Sequence, residues 1–541
     1  MEKIWDIKFD GRSLSSNEIV DQVLRGRGIK NVDEFLNPSA SNLIDFKAFK
    51  NIDKAKDIVL NTLDSAGAFF IYGDVDTDGC SSAAIMYRYL KHFTNKIKIY
   101  LNVGKVHGIT DDFDFDKQLS GINTVIVVDS MNDNPTKYIE ILKRGINLII
   151  LDHHIPSKEI LDISDKICLI SSAIDNYLNP NLSGSGVTWK FTKYLDLCLN
   201  STYSDDLVDL ATTGIVGDIC DVSEKSMENR YICNLGFNNL KNPGIKKILG
   251  SYEFNSTAIL YSISPLVNGA NRLENNYDAV NLFITDDELT LSDTVQLLTD
   301  YKIHQKGKVD ALYHTFIDKQ VLKQINNKCM YFMIDADKNF AGLLANKVCG
   351  EFCRPVIVLY NGEDDRYYNG SMRATGIDDF RAIINSTGIG VCEGHEQAAG
   401  VTIPKDKFFD FYDKIEYLLK DYTFVQKVDV DVQISVPQIS SYLVSKIKAI
   451  NKITGNGFPQ VLVAVTNVTD YSVREMSGGK HMAIDCANNV SFIKWNILDW
   501  GSVDSGKSVS VIGTLDESFR HGKWHETIKT SQIILTDYKF E

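Results

Sequence analysis

Asn147-Leu148-Ile149-Ile150-Leu151-Asp152-His153-His154 decides how this chain reads. An apolar run ends abruptly in a carboxylate and two imidazoles. Two other runs end in the same manner. Ala68-Phe69-Phe70-Ile71-Tyr72 leads into Gly73-Asp74-Val75-Asp76-Thr77-Asp78-Gly79, and Thr124-Val125-Ile126-Val127-Val128 leads into Asp129. Short apolar runs of this type predict buried parallel strands. Ligands of open α/β sheets bind off the carboxyl ends of such strands. Three strand ends would therefore bring Asp74, Asp76, Asp78, Asp129, Asp152, His153 and His154 to one place. So many like charges require cations, and the number of ligands points to two ions. Carboxylate oxygen with imidazole favours Mn²⁺, Mg²⁺ or Fe²⁺ over a thiolate zinc site. Asp74 to Asp78 alone resembles a calcium loop or a solvated turn, but it lacks the bidentate Glu of an EF-hand.

The surrounding pattern is consistent with this. From about 51 to 240 strands alternate with helices, including Cys80–Lys91 and Pro135–Arg144, which predicts an α/β domain with a parallel sheet. Residues 1–50 form a lead-in. Residues 241–328 are mainly helical and polar, a connector. A second α/β region covers 329–426, with strands at Cys329–Ile334 and Pro355–Tyr360. Short alternating runs from 427 to 541 suggest an all-β module of about five strands, an OB-fold-like barrel. Leu207–Gly214 is an apolar helical segment that delivers Gly217-Asp218.

Composition bounds the function only loosely. The chain has 541 residues, enough for three or four domains. Its net charge of −14 argues against a polyanionic partner. Clustered metal-binding aspartates inflate that count, and bound divalent ions would reverse its local sign. There is no long apolar stretch to span a membrane. The ten cysteines lack paired spacing and the N-terminus lacks a signal-peptide layout, so a cytoplasmic setting is expected. Cys349 and Cys353 share helical spacing and are read as packing.

Three patterns are discounted. Gly501-Ser502-Val503-Asp504-Ser505-Gly506-Lys507-Ser508 matches the Walker A lettering, but Val509-Ser510-Val511-Ile512 continues as strand where a helix is required, so no ATP use is expected. Gly184-Ser185-Gly186 reads as a loop and helix start. His521 and His525 flank a turn.

The ordered set Asp74-x-Asp76-x-Asp78-Gly79, Asp129, Asp152-His153-His154 and Gly217-Asp218 resembles the DHH phosphoesterase superfamily. Further segments narrow the resemblance to its RecJ-type branch. They are Lys105-Val106-His107-Gly108, Asn229-Arg230, Asn268-Gly269-Ala270-Asn271-Arg272-Leu273, Gly370-Ser371-Met372-Arg373 and Gly394-His395-Glu396-Gln397-Ala398-Ala399-Gly400. They occur in the family's order, from about residue 20 to the C-terminus.

The resemblance implies a single-stranded DNA exonuclease working 5′ to 3′ by two-metal hydrolysis with Mn²⁺ or Mg²⁺, and roles in DNA repair and recombination. It implies Asp74, Asp76, Asp78, Asp129, His153 and Asp218 as metal ligands, with Asp129 bridging. Asp152 would ligate or orient His153, and His154 would face the scissile phosphate. Lys105, His107, Ser371, Arg373 and His395 would contact DNA, with Lys494 and Trp495 added by the C-terminal module. Lys480, His481 and Lys523 are further candidates there. Selectivity for single strands would come from a narrow cleft between the two α/β regions. Two departures bear on 5′-end preference: Lys105 stands where many relatives have Arg, and Glu393 replaces the first Gly of the Gly-Gly-His motif. Two other functions fit the same residues. One is a phosphodiesterase for short oligonucleotides or cyclic dinucleotides, and the other is a non-catalytic replication scaffold.

Overall fold

The computed structural model describes residues 3–102, 107–272, 276–336, 338–362, 364–497, 507–521 and 527–540. The chain divides into two compact units. One comprises Ile7–Lys302 with Val430–Glu541, and the other Met1–Asp6 with Ile303–Asp429. The division falls inside a long helix, Glu288–Leu312.

The first unit is built on five parallel strands. These are β1 (Phe69–Gly73), β2 (Ile97–Leu101), β3 (Thr124–Val128), β4 (Asn147–Asp152) and β5 (Cys168–Ser171), in the order β2-β1-β3-β4-β5. All neighbouring pairs are parallel. Successive side chains feed opposite faces. Phe69, Ile71, Ile126, Val128, Ile149 and Leu151 enter one core, whereas Phe70, Tyr72, Val125, Val127, Leu148 and Ile150 enter another. Burial on both faces is why these runs are continuously apolar.

Three helices matter for the site: α1 (Thr77–Lys91), α2 (Gly184–Leu199) and α3 (Val208–Gly217). α1 starts one turn before the sequence suggests, because Asp76 caps it by accepting from the Asp78 and Gly79 amides at 3.0 Å each. The strand order changes direction between β1 and β3, the position where doubly wound sheets open a crevice.

The second unit carries a mixed sheet of β6 (Met330–Met333), β7 (Val356–Asn361), β8 (Tyr367–Arg373), β9 (Val391–His395) and β10 (Ala398–Pro404), in the order β9-β10-β8-β7-β6. Helix α4 (Ala341–Phe352) packs on it.

The C-terminal strands are β11 (Val432–Gln433), β12 (Val463–Val468), β13 (Tyr471–Met476), β14 (His481–Cys486), β15 (Val490–Lys494), β16 (Val509–His521) and β17 (Thr527–Phe540). Their order is β11-β12-β16-β17-β15-β14-β13. The sequence suggests about five strands in a barrel. Among the described residues seven strands form, and no pairing joins β11 to β13 to close a ring. β11 has two residues and β13 is half polar, so neither stands out as an apolar run.

Within the first unit, this sheet shares one core with the parallel-sheet part. Arg27 grips Asp431 through Nε at 2.6 Å and Nη2 at 2.8 Å. Arg230, one of the motif residues, is buried between the two parts. It donates to the carbonyls of Phe35, Val222 and Ile453 and lies 3.6 Å over the Phe35 ring. Among the described residues, no helix is long and apolar enough to cross a membrane.

Candidate metal centre

The crevice beyond β1, β3 and β4 gathers the acidic residues. Asp74 leaves β1, Asp76 caps α1 and Asp78 lies in its first turn, Asp129 follows β3, Asp152 ends β4, and Asp218 caps the end of α3. Three groups of side chains each offer ligand atoms lying within 4.8 Å of one another: Asp74 with Asp76 and Asp129, Asp78 with His153 and Asp218, and Asp129 with His153 and His154. Asp129 and His153 each belong to two of these groups.

Asp129 has backbone φ of +52°, an uncommon conformation for an L residue, and is almost fully buried. Its Oδ1 makes no hydrogen bond with any of the described residues. His153 Nε2 lies 3.2 Å from that oxygen, close enough for an ion pair but without hydrogen-bond alignment. The same nitrogen is 3.7 Å from Asp218 Oδ2 and 4.0 Å from Asp78 Oδ2. Burying a carboxylate oxygen with no donor is costly. The arrangement is understandable if Oδ1 and the lone pair of Nε2 both face a cation.

Asp78 is held from another helix. Its Oδ2 accepts from the Gly184 amide at 2.7 Å and its Oδ1 from the Ser185 amide at 3.0 Å. These are otherwise unsatisfied amides of the first turn of α2, a favourable place for an anion. The approach requires glycine. A Cβ on Gly184 would lie 2.7 Å from Asp129 Oδ1, and one on Gly214 would lie 2.2 Å from Asp78 Oδ1.

Asp152 behaves differently. Its Oδ2 accepts from the Met131 amide at 2.8 Å. Its Oδ1 accepts from the backbone of His153 at 2.7 Å and from the backbone and ring Nδ1 of His154 at 2.9 and 2.7 Å. Asp152 thus fixes the His154 ring rather than the His153 ring, and it belongs to none of the three ligand groups. His107 Nδ1 donates to Asp74 Oδ2 at 3.0 Å, and its Nε2 lies 3.1 Å from the Met131 carbonyl. The resemblance points His107 at DNA; in the structure its ring is spent on Asp74.

The electrostatics divide the acids. Burial, then the charge of Asp74, pushes Asp76 up to about 7. Burial, then Asp78, pushes Asp218 up to about 7 as well. Burial, then Asp78, raises Asp129 well above the carboxylate range. Burial also opposes ionisation of Asp152, but the hydrogen bond and charge of His154 outweigh it and hold that carboxyl below the usual range. For His154 burial opposes protonation, and Asp152 overcomes it, raising the ring to about 9. His107 is raised too, because Asp74 outweighs its burial. Three acids that resist ionising together, beside one bare oxygen, fit a pair of divalent cations, and the hard oxygen and imidazole donors suit Mn²⁺ or Mg²⁺.

The other candidates lie elsewhere. Ser371 and Arg373 are on β8, where an added Cβ on Gly342 of α4 would lie 3.5 Å from Ser371 Oγ and 3.1 Å from Arg373 Nη2. Among the described residues no carboxylate pairs with Arg373. His395 is exposed at the end of β9. In the C-terminal sheet the His481 and Trp495 rings meet at 4.9 Å, Trp495 is half exposed, and Lys494 Nζ donates to the Thr536 carbonyl at 3.3 Å. Lys105, Leu273, Gly501–Gly506, Lys523 and His525 fall outside the described residues.

Sequence reasoning missed the clamp of α2 on Asp78. The available signal was Ser183, an N-cap whose side chain accepts from the Gly186 amide at 3.2 Å, followed by small residues. It also missed Cys220, whose Sγ lies 3.6 Å from Asp218 Oδ2.

Comparison with known proteins agrees with this geometry. The model of the DHH family, N-terminal domain, matches residues 68–215, and that of the DHHA1 domain matches residues 326–421. The chain is 27% identical over 485 residues to a putative SPbeta prophage-derived single-strand DNA-specific exonuclease YorK of Bacillus subtilis, covering 82% of each protein. It is 23% identical over 552 residues to the single-stranded-DNA-specific exonuclease RecJ of the same organism, covering 96% of this chain and 67% of that protein. Among solved structures, RecJ of Thermus thermophilus in complex with Mn²⁺ superposes with a TM-score of 0.78 at 19% identity, over 99% of this chain and 79% of that one. The corresponding Mg²⁺ complex gives 0.72 at 18% identity, over 99% and 78%.

Proposed function

We propose that this chain, which matches the DHH family N-terminal domain over residues 68–215 and the DHHA1 domain over residues 326–421, is a RecJ-type, divalent-metal-dependent exonuclease that degrades single-stranded DNA from the 5′ end. The observation that carries this reading is the sharing of Asp129 and His153 between adjacent ligand groups, with Asp129 Oδ1 buried and bare.

Asp74, Asp76, Asp78, Asp129, His153 and Asp218 would hold two ions, with Asp129 available to both because it belongs to two of the ligand groups. Bound there, Mn²⁺ or Mg²⁺ supplies Lewis acidity toward the phosphodiester and activates water near neutral pH. The residues do the rest. Gly184 and Ser185 hold Asp78 in place by their amides. Asp152 keeps a proton on His154 Nδ1 and aims the ring, leaving Nε2 to donate toward a phosphoryl oxygen as negative charge develops. Ser371 and Arg373 offer a hydroxyl and a guanidinium to a DNA phosphate. The 5′ polarity rests on the RecJ-type resemblance.

A cytoplasmic setting suits a chain whose ten cysteines are all unpaired. No role for ATP or a membrane is proposed: the strand β16 follows the Walker-like lettering, where a nucleotide-binding loop needs a helix.

The test is digestion of single strands labelled at the 5′ or 3′ end, with Mn²⁺, with Mg²⁺ and with EDTA. Early release of the 5′ label as mononucleotide, in metal only, supports the proposal. Release of the 3′ label first rejects the polarity. Turnover confined to dinucleotides rejects long DNA as substrate, and no turnover in either metal rejects the enzyme.

A further inference from the structure

A second cavity, of about 440 Å³, opens at the opposite end of α1 from the carboxylates. Small-molecule sites span about 300–1,000 Å³. The last turn of α1 forms one side. The turn Tyr203–Leu207, which leads directly into α3, forms another. The proposed reaction uses none of the residues around it.

Its chemistry is basic and aromatic. Arg88 is fixed in place, with Nε donating to the Phe283 carbonyl at 2.6 Å and Nη2 to Asp286 Oδ1 at 2.8 Å. Its Nη1 donates to none of the described residues. Lys91 pairs with no carboxylate among the described residues, and its ammonium lies 5.8 Å from the Tyr87 ring centre. Lys241 reaches Asp206 only at 4.0 Å. Asp206 and Asp286 are 70% and 71% exposed, so solvent screens both. The three cations outnumber the two anions. One wall is flat: the rings of His92 and Tyr203 stack at 3.9 Å with 7° between their planes, and Tyr203 is 40% exposed.

Such a site repels a metal cation and wastes its charge on an apolar ligand. It matches a molecule with one planar ring and one phosphate. A nucleoside 5′-monophosphate has both, and it is the product expected of the proposed exonuclease, so the identity of the ligand rests on that reading.

The cavity is also mechanically joined to the metal centre. α1 carries Asp76 and Asp78 at its first turn and Arg88 and Lys91 at its last, about 18 Å apart at 1.5 Å per residue. α3 leaves the cavity wall and ends at Asp218. The two helices touch beside the ligands, where a Cβ on Gly217 would lie 2.6 Å from Thr77 Cγ2. A ligand that draws Lys91 and Tyr203 together therefore loads both helices that deliver metal ligands.

We infer that this cavity is a regulatory site for a nucleoside 5′-monophosphate, and that its occupation slows turnover at the metal centre through α1 and α3.

Calorimetric titration of the full chain with dAMP, in EDTA, tests it without any need for hydrolysis. Lys91→Glu and Tyr203→Ala should each weaken binding at least tenfold, while Asp129→Ala leaves it unchanged. Deoxyadenosine and inorganic phosphate should each bind at least tenfold more weakly than dAMP. In nuclease assays dAMP should slow the wild type and not Lys91→Glu, whose rate without nucleotide stays normal. Wild-type affinity in both cavity variants, loss of binding in Asp129→Ala, or phosphate binding as tightly as dAMP would each overturn the inference. Because binding is read without metal, its failure leaves the exonuclease reading standing, and an inactive enzyme that still binds dAMP separates the two in the other direction.

Discussion

Gly184 and Asp129 meet with no space between them: a Cβ on Gly184 would stand 2.6 Å from the Cβ of Asp129 and 2.7 Å from its Oδ1. Neither partner can retreat. Gly184 begins α2 and donates its amide to Asp78, and Asp129 is pinned between β3 and the crevice. Gly184→Ala should therefore keep the fold while shifting two of the proposed metal ligands, Asp78 and Asp129, at once. Displacing such supporting contacts costs roughly 10–100-fold in metal affinity or activity. Mn²⁺ titration alongside circular dichroism checks this, and unchanged affinity would refute it.

Asp129→Asn should have opposite effects on stability and turnover. Without metal, folding at neutral pH must either bury the Asp129 charge or protonate a carboxyl that is ionised in the unfolded chain, and Asn is spared that cost, so the variant should be more stable by on the order of 1–3 kcal/mol. Adding Mn²⁺ should raise the melting temperature of the wild type, since a ligand of the folded state stabilises it. The variant should show little of that rise and no measurable hydrolysis.

Lys190 and Glu228 form a fully buried pair at 2.6 Å, inside a network with Tyr177, Asn179 and the Ile44 backbone. Burial pulls Lys190 below its ordinary pKa, and Glu228 works against that pull. Lys190→Met leaves Glu228 charged and uncompensated, which should cost about 3–5 kcal/mol. Adding Glu228→Gln should restore much of the loss. Urea denaturation of the single and double variants reads the coupling directly.

Arg373→Ala should weaken binding of single-stranded DNA and lower the slope of log affinity against log salt by about 1, as expected for one lost phosphate contact. Mn²⁺ affinity should not change. Arg373→Lys should recover only part of the DNA affinity, because an ammonium lacks the guanidinium fork. Fluorescence anisotropy over a salt series measures both.

Much of the metal centre was legible because its carriers leave strong local signals. Continuous apolar runs such as Ile149-Ile150-Leu151 announce strands buried on both faces, and an Asp directly after such a run marks a strand end at a crevice. The resemblance supplied Asp218, which sits on a helix end and has no such signal. Contacts between remote segments were not legible. Nothing in Ser183-Gly184-Ser185 announces that its amides hold Asp78, and nothing in Asp152-His153-His154 says which ring Asp152 binds. Arg230 stood in a motif, yet its partners are backbone carbonyls and the Phe35 face, which no side-chain pattern encodes. The C-terminal sheet was undercounted because β11 is too short, and β13 too polar, to register as an apolar run.

Anomalous diffraction from crystals soaked in Mn²⁺ tests the account most directly. Two peaks are predicted in the crevice, one near Asp74 and Asp76, one near Asp78, His153 and Asp218, with Asp129 touching both. Manganese bound elsewhere, or no peak among these side chains, would contradict it.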